Sequence, residues 1–187
     1  MKVAQYYAHP RNAFWPIAVA TIQRSEPCFK RAHAINYEQR INLAVEYGLA
    51  LWDVLSHCTR PGSLDSSIER ASEVANPIAA WLESHPSVSR VCFNGKTAAA
   101  AFRRHLSAEL EPTLSNRKIE FLTLPSTSPA MATLSLEEKN RTVAACSNSK
   151  CLEIETERIF NTVIGATIAT CSRFAIGWVH TVLYGPL

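Results

Sequence analysis

The sequence lacks the marks of several common protein classes. It has no Cys-x-x-Cys pair and no two histidines at zinc-ligand spacing, which argues against a metal site. Its six cysteines make no disulfide pattern: Cys28, Cys58 and Cys92 stand far apart, and only Cys146 and Cys151 are close. The expectation is buried, unbridged thiols in a reducing compartment. No apolar run follows Met1-Lys2, so no secretory signal is expected, and the protein is expected inside the cell, in cytoplasm or nucleus. No internal repeat is visible. Charge of one sign is also scarce: 19 Lys and Arg stand against 16 Asp and Glu, a net +3. That balance permits nucleic-acid binding without arguing for it.

What the sequence does have is apolar material. Hydrophobic residues make up 47% of 187 residues and charged ones 19%. This suffices for the core of one domain of ordinary size and excludes a disordered tail protein. Ten prolines against six glycines suggest many short connections.

Residues 1 to 139 read as one α/β unit. Asn36 precedes Tyr37, Ile41, Ala44 and Val45, which share one helical face. Gln39 completes a capping box and Gly48 supplies the stop. Leu49 to Leu55 then reads as a buried strand, and Arg60-Pro-Gly-Ser63 as a loop. Asn76-Pro77 predicts a helix with Asn76 as cap and Trp81 and Leu82 on its apolar side. Arg90 to Phe93 reads as a strand, Lys96 to Leu106 as a helix and Ile119 to Leu124 as a strand stopped by Pro125. Strand, helix and strand of these lengths predict a βαβ unit with parallel strands. Ligands bind beyond the carboxyl ends of such strands. Three polar loops lie at such ends: the one after Leu55, Asn94-Gly95, and Ser126 to Pro129.

The character changes beyond Lys139. Arg141 to Glu157 is polar without a clear period. Ile159 to Leu187 is apolar, but Arg173 and His180 interrupt it, so a membrane span is not expected. It reads as a terminal hairpin, a partner-binding segment, or sequence not folded with the rest.

Two segments are dense in chemistry. Gln5 to Ile17 (QYYAHPRNAFWPI) packs two tyrosines, a histidine, an arginine, an asparagine and two further aromatics around Pro10. Aromatics can sandwich a base, His9 and Arg11 can meet phosphate, and the Asn12 amide can orient a water. The plainer reading is that Phe14, Trp15 and Ile17 begin a core helix with Asn12 as its cap. Leu124 to Ala130 (LPSTSPA) sets three hydroxyls between two prolines, which suits phosphate contact or a surface turn. Asn94-Gly95-Lys96 reads either as an anion site or as an ordinary βα turn. Asp53, inside an apolar strand, needs partners, through a structural hydrogen bond or a site role.

Taken together, QYYAHPRNAFWPI, then LALWDVLSHCTRPGSLDSSI (Leu49 to Ile68), then VCFNG (Val91 to Gly95), then LPSTSPA resemble the hypoxanthine-DNA (deoxyinosine) glycosylase family of the uracil-DNA glycosylase superfamily. The chain is also similar, more distantly, to mismatch-specific uracil-DNA glycosylases. The resemblance implies a three-layer α/β/α sandwich around a short, mostly parallel sheet. It implies a monofunctional enzyme, without cofactor or metal and away from membranes, that acts as a monomer on DNA containing a deaminated base, hypoxanthine or uracil. It gives Asn12 the catalytic, water-orienting role and Tyr7 the role of stacking on the extruded base. Asp53 and Asn94 would line the base pocket. His9, Arg11, Lys96, Ser126, Thr127, Ser128 and Pro129 would contact DNA. Family members carry a strand and a Pro-containing loop ahead of the first block, where this sequence has only Met1 to Ala4. The expectation is therefore a glycosylase-like domain over 1–139 without its front strand, and a tail over 140–187 with no family resemblance. The alternative is a catalytically impaired relative that serves as a DNA- or protein-binding module.

Overall fold

A computed structural model describes residues 5–61, 65–115, 117–147 and 180–184. Helices and strands are mixed along the chain, as an α/β protein requires, and the chain divides into two compact units. The first unit takes the N-terminal part through Ala50 and resumes at Leu124. The second takes Leu51–Thr123 together with the strand formed by residues 180–184.

The first unit is built on α1 (Phe14–Ile22), whose residues from Phe14 to Ala20 are all buried. A helix apolar on every side must be covered on every side. Helices α2 (Phe29–Ala34), α3 (Tyr37–Glu46) and α6 (Leu136–Ser147) pack on it. Pro16 falls in the first turn, where a missing N–H costs nothing. Helix α3 opens on the expected capping box: Asn36 Oδ1 accepts the Gln39 N–H at 2.9 Å, and Gln39 Oε1 accepts the Asn36 N–H at 2.9 Å. Gly48 ends the turn after α3 at φ 77°, a left-handed conformation that glycine adopts without steric cost. Helix α6 has a second box, with Ser135 Oγ accepting from Glu138 N–H and Glu138 Oε2 accepting from Ser135 N–H. Hydrogen bonds to the carboxylate from the Ser135 N–H and the Ser135 side chain hold the Glu138 carboxyl below its ordinary pKa. Lys139, expected as the last residue of the domain, lies inside α6.

The second unit carries a four-stranded sheet in the order β1-β6-β4-β5, comprising β1 (Leu49–Asp53), β4 (Arg90–Asn94), β5 (Glu120–Leu124) and β6 (His180–Tyr184), of which only Leu49, Ala50 and Leu124 are counted with the first unit. Residues alternate along β1: Leu49, Leu51 and Asp53 are buried, while Ala50 and Trp52 are half-buried. Strands β4 and β5 are aligned start to start. The Glu120 N–H donates to the Ser89 carbonyl at 2.9 Å, and the Arg90 guanidinium meets Glu120 Oε2 at 2.6 Å. They therefore run parallel, as the βαβ pattern predicts. Helix α5 (Lys96–Ser115) packs on β4, with α4 (Ile78–Ser84) beside it. Phe93 and Phe102 meet at 4.8 Å between ring centres, and Ala98, Ala99 and Ala101 keep the buried face of α5 small.

Several expectations need correction. The strand read over Leu49 to Leu55 breaks at Val54. Leu55–His57 forms a separate strand, β2, that pairs antiparallel with β3 (Val74–Ala75), so the stretch just after Leu55 is not an open loop. Asn76 does not cap α4: its Nδ2 donates to the Asp53 carbonyl at 2.7 Å, and Pro77 takes the cap position without a side-chain bond. The helix read to Leu106 continues to Ser115. Of three thiols expected to be buried, only Cys92 is; Cys28 and Cys58 are half-buried.

The largest departure is β6. It lies between β1 and β4 and runs antiparallel to β4, with Val182 opposite Cys92 and Leu183 opposite Val91. A segment with no clear assignment from sequence thus supplies an inner strand, and the sheet is more mixed than expected. The rest of the apolar stretch, up to Val179 and beyond Tyr184, lies outside the described residues.

Two side-chain clusters fasten the second unit. The Arg117 guanidinium donates to the carbonyls of Leu82 at 2.6 Å, His85 at 3.0 Å and Val88, which closes the end of α4. Glu73, with a side chain only 4% exposed, meets Arg104 at 2.7 Å and His105 at 2.6 Å. Burial pushes the Glu73 carboxyl up, but the bonds from His105 and Arg104 outweigh it and leave the pKa below the ordinary value. A carboxyl held low in the folded state contributes stability above its unfolded pKa and loses it as pH falls below. Urea unfolding midpoints are therefore expected to drop from about pH 5 downward, and more steeply in the wild type than in Glu73→Gln; equal slopes would remove the cluster from the acid response. An inner strand has ladder bonds on both edges, so Val182→Pro must lose one. Its Tm is expected to fall by about 5 °C or more, and an unchanged Tm would show that β6 adds nothing to the sheet.

Candidate active site

The chemistry-bearing residues of the first unit lie on two segments tied to the start of α1. The first runs from Tyr6 to Ala13. Trp15, 1% exposed, anchors it from below: its indole N–H donates to the Tyr6 carbonyl at 3.0 Å. The Tyr37 hydroxyl accepts the Tyr6 N–H at 3.1 Å, and the Arg40 guanidinium lies 5.3 Å from the Trp15 ring centre and 5.8 Å from that of Tyr37. A cation over two aromatic faces is attracted by their quadrupoles.

Tyr7 follows with φ 56°. A non-glycine residue in the left-handed region costs on the order of 1 kcal/mol, so tertiary contacts must hold it there. They do so by burial. The Tyr7 ring stacks on Phe14 at 3.9 Å and 16°, and the residue is 7% exposed. Sequence reasoning placed Tyr7 in the site but missed Phe14 as its backing. The signal was there in the seven-residue spacing, but only a chain reversal between them makes the two rings meet.

That reversal is a turn over Pro10. The Asn12 N–H donates to the His9 carbonyl at 2.8 Å, and the Arg11 N–H donates to His9 Nδ1 at 3.1 Å. With Nδ1 accepting, the proton of the neutral His9 ring sits on Nε2. His9, Pro10 and Arg11 are exposed. Asn12 is half-buried, and its Oδ1 accepts the Phe14 N–H at 2.9 Å. Ala13, not Asn12, takes the cap position of α1, without a side-chain cap bond, so the cap read from sequence is corrected: Asn12 stands one residue ahead and closes an Asx turn onto the first helical N–H, which fixes the orientation of the amide. One lone pair of Oδ1 and both Nδ2 hydrogens stay outside that bond.

The second segment is the Leu124 to Met131 loop. The Ala13 N–H donates to the Thr127 carbonyl at 3.0 Å, which straps this loop to the first segment. Ser126 Oγ accepts the Ser128 N–H and Ser128 Oγ accepts the Ala130 N–H, each at 3.2 Å. Both hydroxyls are thus used as acceptors, and each retains its own hydrogen for donation. Thr127 is 6% exposed, while Ser126, Ser128 and Pro129 are half-buried. Lys139 Nζ donates to the Met131 carbonyl at 2.8 Å, and burial lowers the pKa of that ammonium. Lys139 is a loop anchor that sequence reasoning did not identify.

In the second unit, Asp53 ends β1 and is 8% exposed. Asn94 ends β4 and is half-buried. Gly95 follows at φ 105°, with its N–H turned back to the Phe93 carbonyl at 2.9 Å. A β-carbon at that φ would clash, which explains glycine here. Lys96 begins α5 and is exposed. Arg60, with its side chain 5% exposed, pairs with Asp65 at 3.0 Å and stiffens the loop after β2. Both residues lie in the Leu49 to Ile68 block, but neither was singled out from sequence. Among the described residues, no three His, Cys, Asp or Glu side chains group to hold a metal ion. No helix among them is long and apolar enough to cross a membrane.

No family model matches the chain, and no solved structure matches it. Two curated proteins do. The hypoxanthine DNA glycosylases of Methanosarcina acetivorans and Methanosarcina barkeri are each 31% identical to it over 126 residues, which cover 67% of this chain and 69% of each relative. The chain belongs to the hypoxanthine DNA glycosylase family. It is thereby a member of a group of enzymes that hydrolyse N-glycosidic bonds in DNA. In this family member, Asn12 and the Tyr7–Phe14 pair are held by one helix start.

This turn can be tested apart from any activity. Asn12→Ala leaves the Phe14 N–H without its acceptor and is expected to cost about 1 kcal/mol in urea unfolding. Asn12→Ser keeps a side-chain oxygen for the same N–H and should recover most of that loss. Equal stability of wild type and Asn12→Ala would show that the bond contributes nothing.

Proposed function

We propose that the chain is a monofunctional DNA glycosylase that releases a deaminated base, hypoxanthine first and uracil second, by hydrolysis of its N-glycosidic bond. The names of the two relatives support hypoxanthine. The observation that carries the reading is the Asn12 amide, oriented by its bond to the Phe14 N–H one turn away from the Tyr7–Phe14 stack.

A base inside a duplex cannot be attacked at its sugar carbon, so it must first leave the stack. Tyr7, backed by Phe14, is a rigid aromatic wall for such a base. As the bond breaks, the base gains negative charge and the sugar becomes oxocarbenium-like. Preorganised donors to the base and an oriented water then lower the barrier. An amide is not a proton acceptor at neutral pH, so Asn12 acts by position: the remaining lone pair of Oδ1 accepts a hydrogen bond from the water, and the proton that the water loses on joining the sugar carbon ends on the departing base by way of solvent. Asp53 and Asn94 take the base-contacting roles in this proposal. His9, Arg11, Lys96, Ser126, Thr127, Ser128 and Pro129 take the DNA-contacting ones, with the Ser126 and Ser128 hydroxyl hydrogens as phosphate donors. Thr127 serves through its loop position, since its side chain is nearly buried. The three-layer sandwich implied by the resemblance, action as a monomer inside the cell, and independence of metal belong to the same reading.

The test uses labelled oligonucleotides with one deoxyinosine or one deoxyuridine, followed by alkaline cleavage of abasic sites. Wild type is expected to give strand breaks at deoxyinosine in the presence of EDTA. Asn12→Ser, which keeps an oxygen for the Phe14 N–H, is expected to lose base release by about 100-fold or more while still binding DNA. DNA binding by the wild type without any base release would overturn the proposal and leave a binding module.

A further inference from the structure

We propose that α2 and the turn ahead of it form a second DNA-backbone contact surface beside the Tyr6–Ala13 segment, which receives phosphates flanking the lesion. This rests on the DNA-repair reading above and extends it to residues outside every motif block.

The first observation is where the charge lies. Residues 1–34 hold five of the Lys and Arg residues and a single carboxylate, Glu26, a net +4. The remaining 153 residues hold 14 basic and 15 acidic side chains, a net −1. The modest total of +3 thus conceals one basic end and a nearly neutral remainder. Nonspecific attraction to DNA depends on where cations cluster, and a chain with low total charge can still bind through one basic face.

The second observation is how the cluster is displayed. In α2, only Ala32 is buried, at 0% exposure, while Lys30, Arg31, His33 and Ala34 are exposed; Arg24 in the preceding turn is exposed too. Among the described residues, no ion pair neutralises Arg11, Arg24, Lys30 or Arg31. Arg31 is held by neutral groups, the Ser25 hydroxyl at 2.7 Å and the Glu26 carbonyl at 3.1 Å, so its charge is oriented without being cancelled.

The third observation joins this surface to the candidate site. His33 Nε2 lies 3.1 Å from the Pro10 carbonyl, inside the His9–Asn12 turn. Helix α2 packs on α1 and ends at the turn that presents His9 and Arg11. The exposed cations at 24, 30 and 31 therefore continue from Arg11, beside the exposed His9 ring, within one compact unit. Phe29, 36% exposed, stacks on His33 at 6.4 Å and stiffens the end of the track. A row of unpaired cations leading away from a base-binding turn fits the repeating negative charge of a nucleic-acid backbone.

The experiment measures the salt dependence of binding by fluorescence anisotropy, with a duplex carrying one deoxyinosine and with the same duplex without it. The double variant Arg24→Gln/Lys30→Gln alters two exposed side chains that make no ion pair or side-chain hydrogen bond among the described residues. Each lost phosphate contact lowers the slope of log K against log salt by about 1, so a decrease of about 2 is expected on both duplexes. Lys118→Gln, an exposed charge of the second unit, should leave the slope as in the wild type. A double variant with the wild-type slope overturns the surface, even if base release is intact. Wild-type protein that shows the slope loss on mutation but releases no base removes the glycosylase reading and leaves the surface standing. Absence of any DNA binding by the wild type at low salt overturns both.

Discussion

The burial of α1 from Phe14 to Ala20 is the constraint on which the first unit depends. Its first seven residues, Phe, Trp, Pro, Ile, Ala, Val and Ala in succession, offer no face to water, and only Thr21 and Ile22 at its end are half-buried. Three other helices must cover it, and the chain on either side must lie against it. Trp15 carries this outward. Its ring is dry while its single N–H still needs an acceptor, and it finds one on the Tyr6 backbone. The aromatic core and the position of the Tyr6–Tyr7 segment are thus settled by the same residue.

The helix start is where packing turns into chemistry. The N–H groups of Asn12, Ala13 and Phe14 are satisfied by His9, Thr127 and Asn12 itself. One of those partners brings in the 124–131 loop, and another fixes the Asn12 amide. The strain at Tyr7 is tolerated because the ring stack and the Trp15 bond both hold the segment. The proposed function draws on groups that the fold has already immobilised, which reduces the ordering cost of a reacting geometry.

The sheet of the second unit is held differently. Its parallel pair, β4 and β5, follows from a local βαβ pattern, but its inner strand β6 comes from the far end of the chain. Local tethers do the remaining work: Arg117 closes α4, Arg90 joins two strand starts, and Glu73 joins β3 to α5.

The sequence by itself determined the elements whose signals are local. The Asn36 box, the Gly48 stop, the β4–α5–β5 succession and the motif blocks of the family were all legible, because caps, turns and hydrophobic periods act over a few residues. Asn12, Tyr7 and the Ser126–Pro129 loop were legible as a set only through the resemblance, since each has a sound structural use. Tertiary structure alone decided the rest. Asn76 left its cap for the Asp53 carbonyl, Lys139 became the anchor of a loop, Phe14 became the backing of Tyr7, and residues 180–184 entered the sheet beside β4. The reason is common to all four. A polar group or an apolar strand takes the partner that folding places beside it, and that partner lies at a sequence separation that no local pattern encodes.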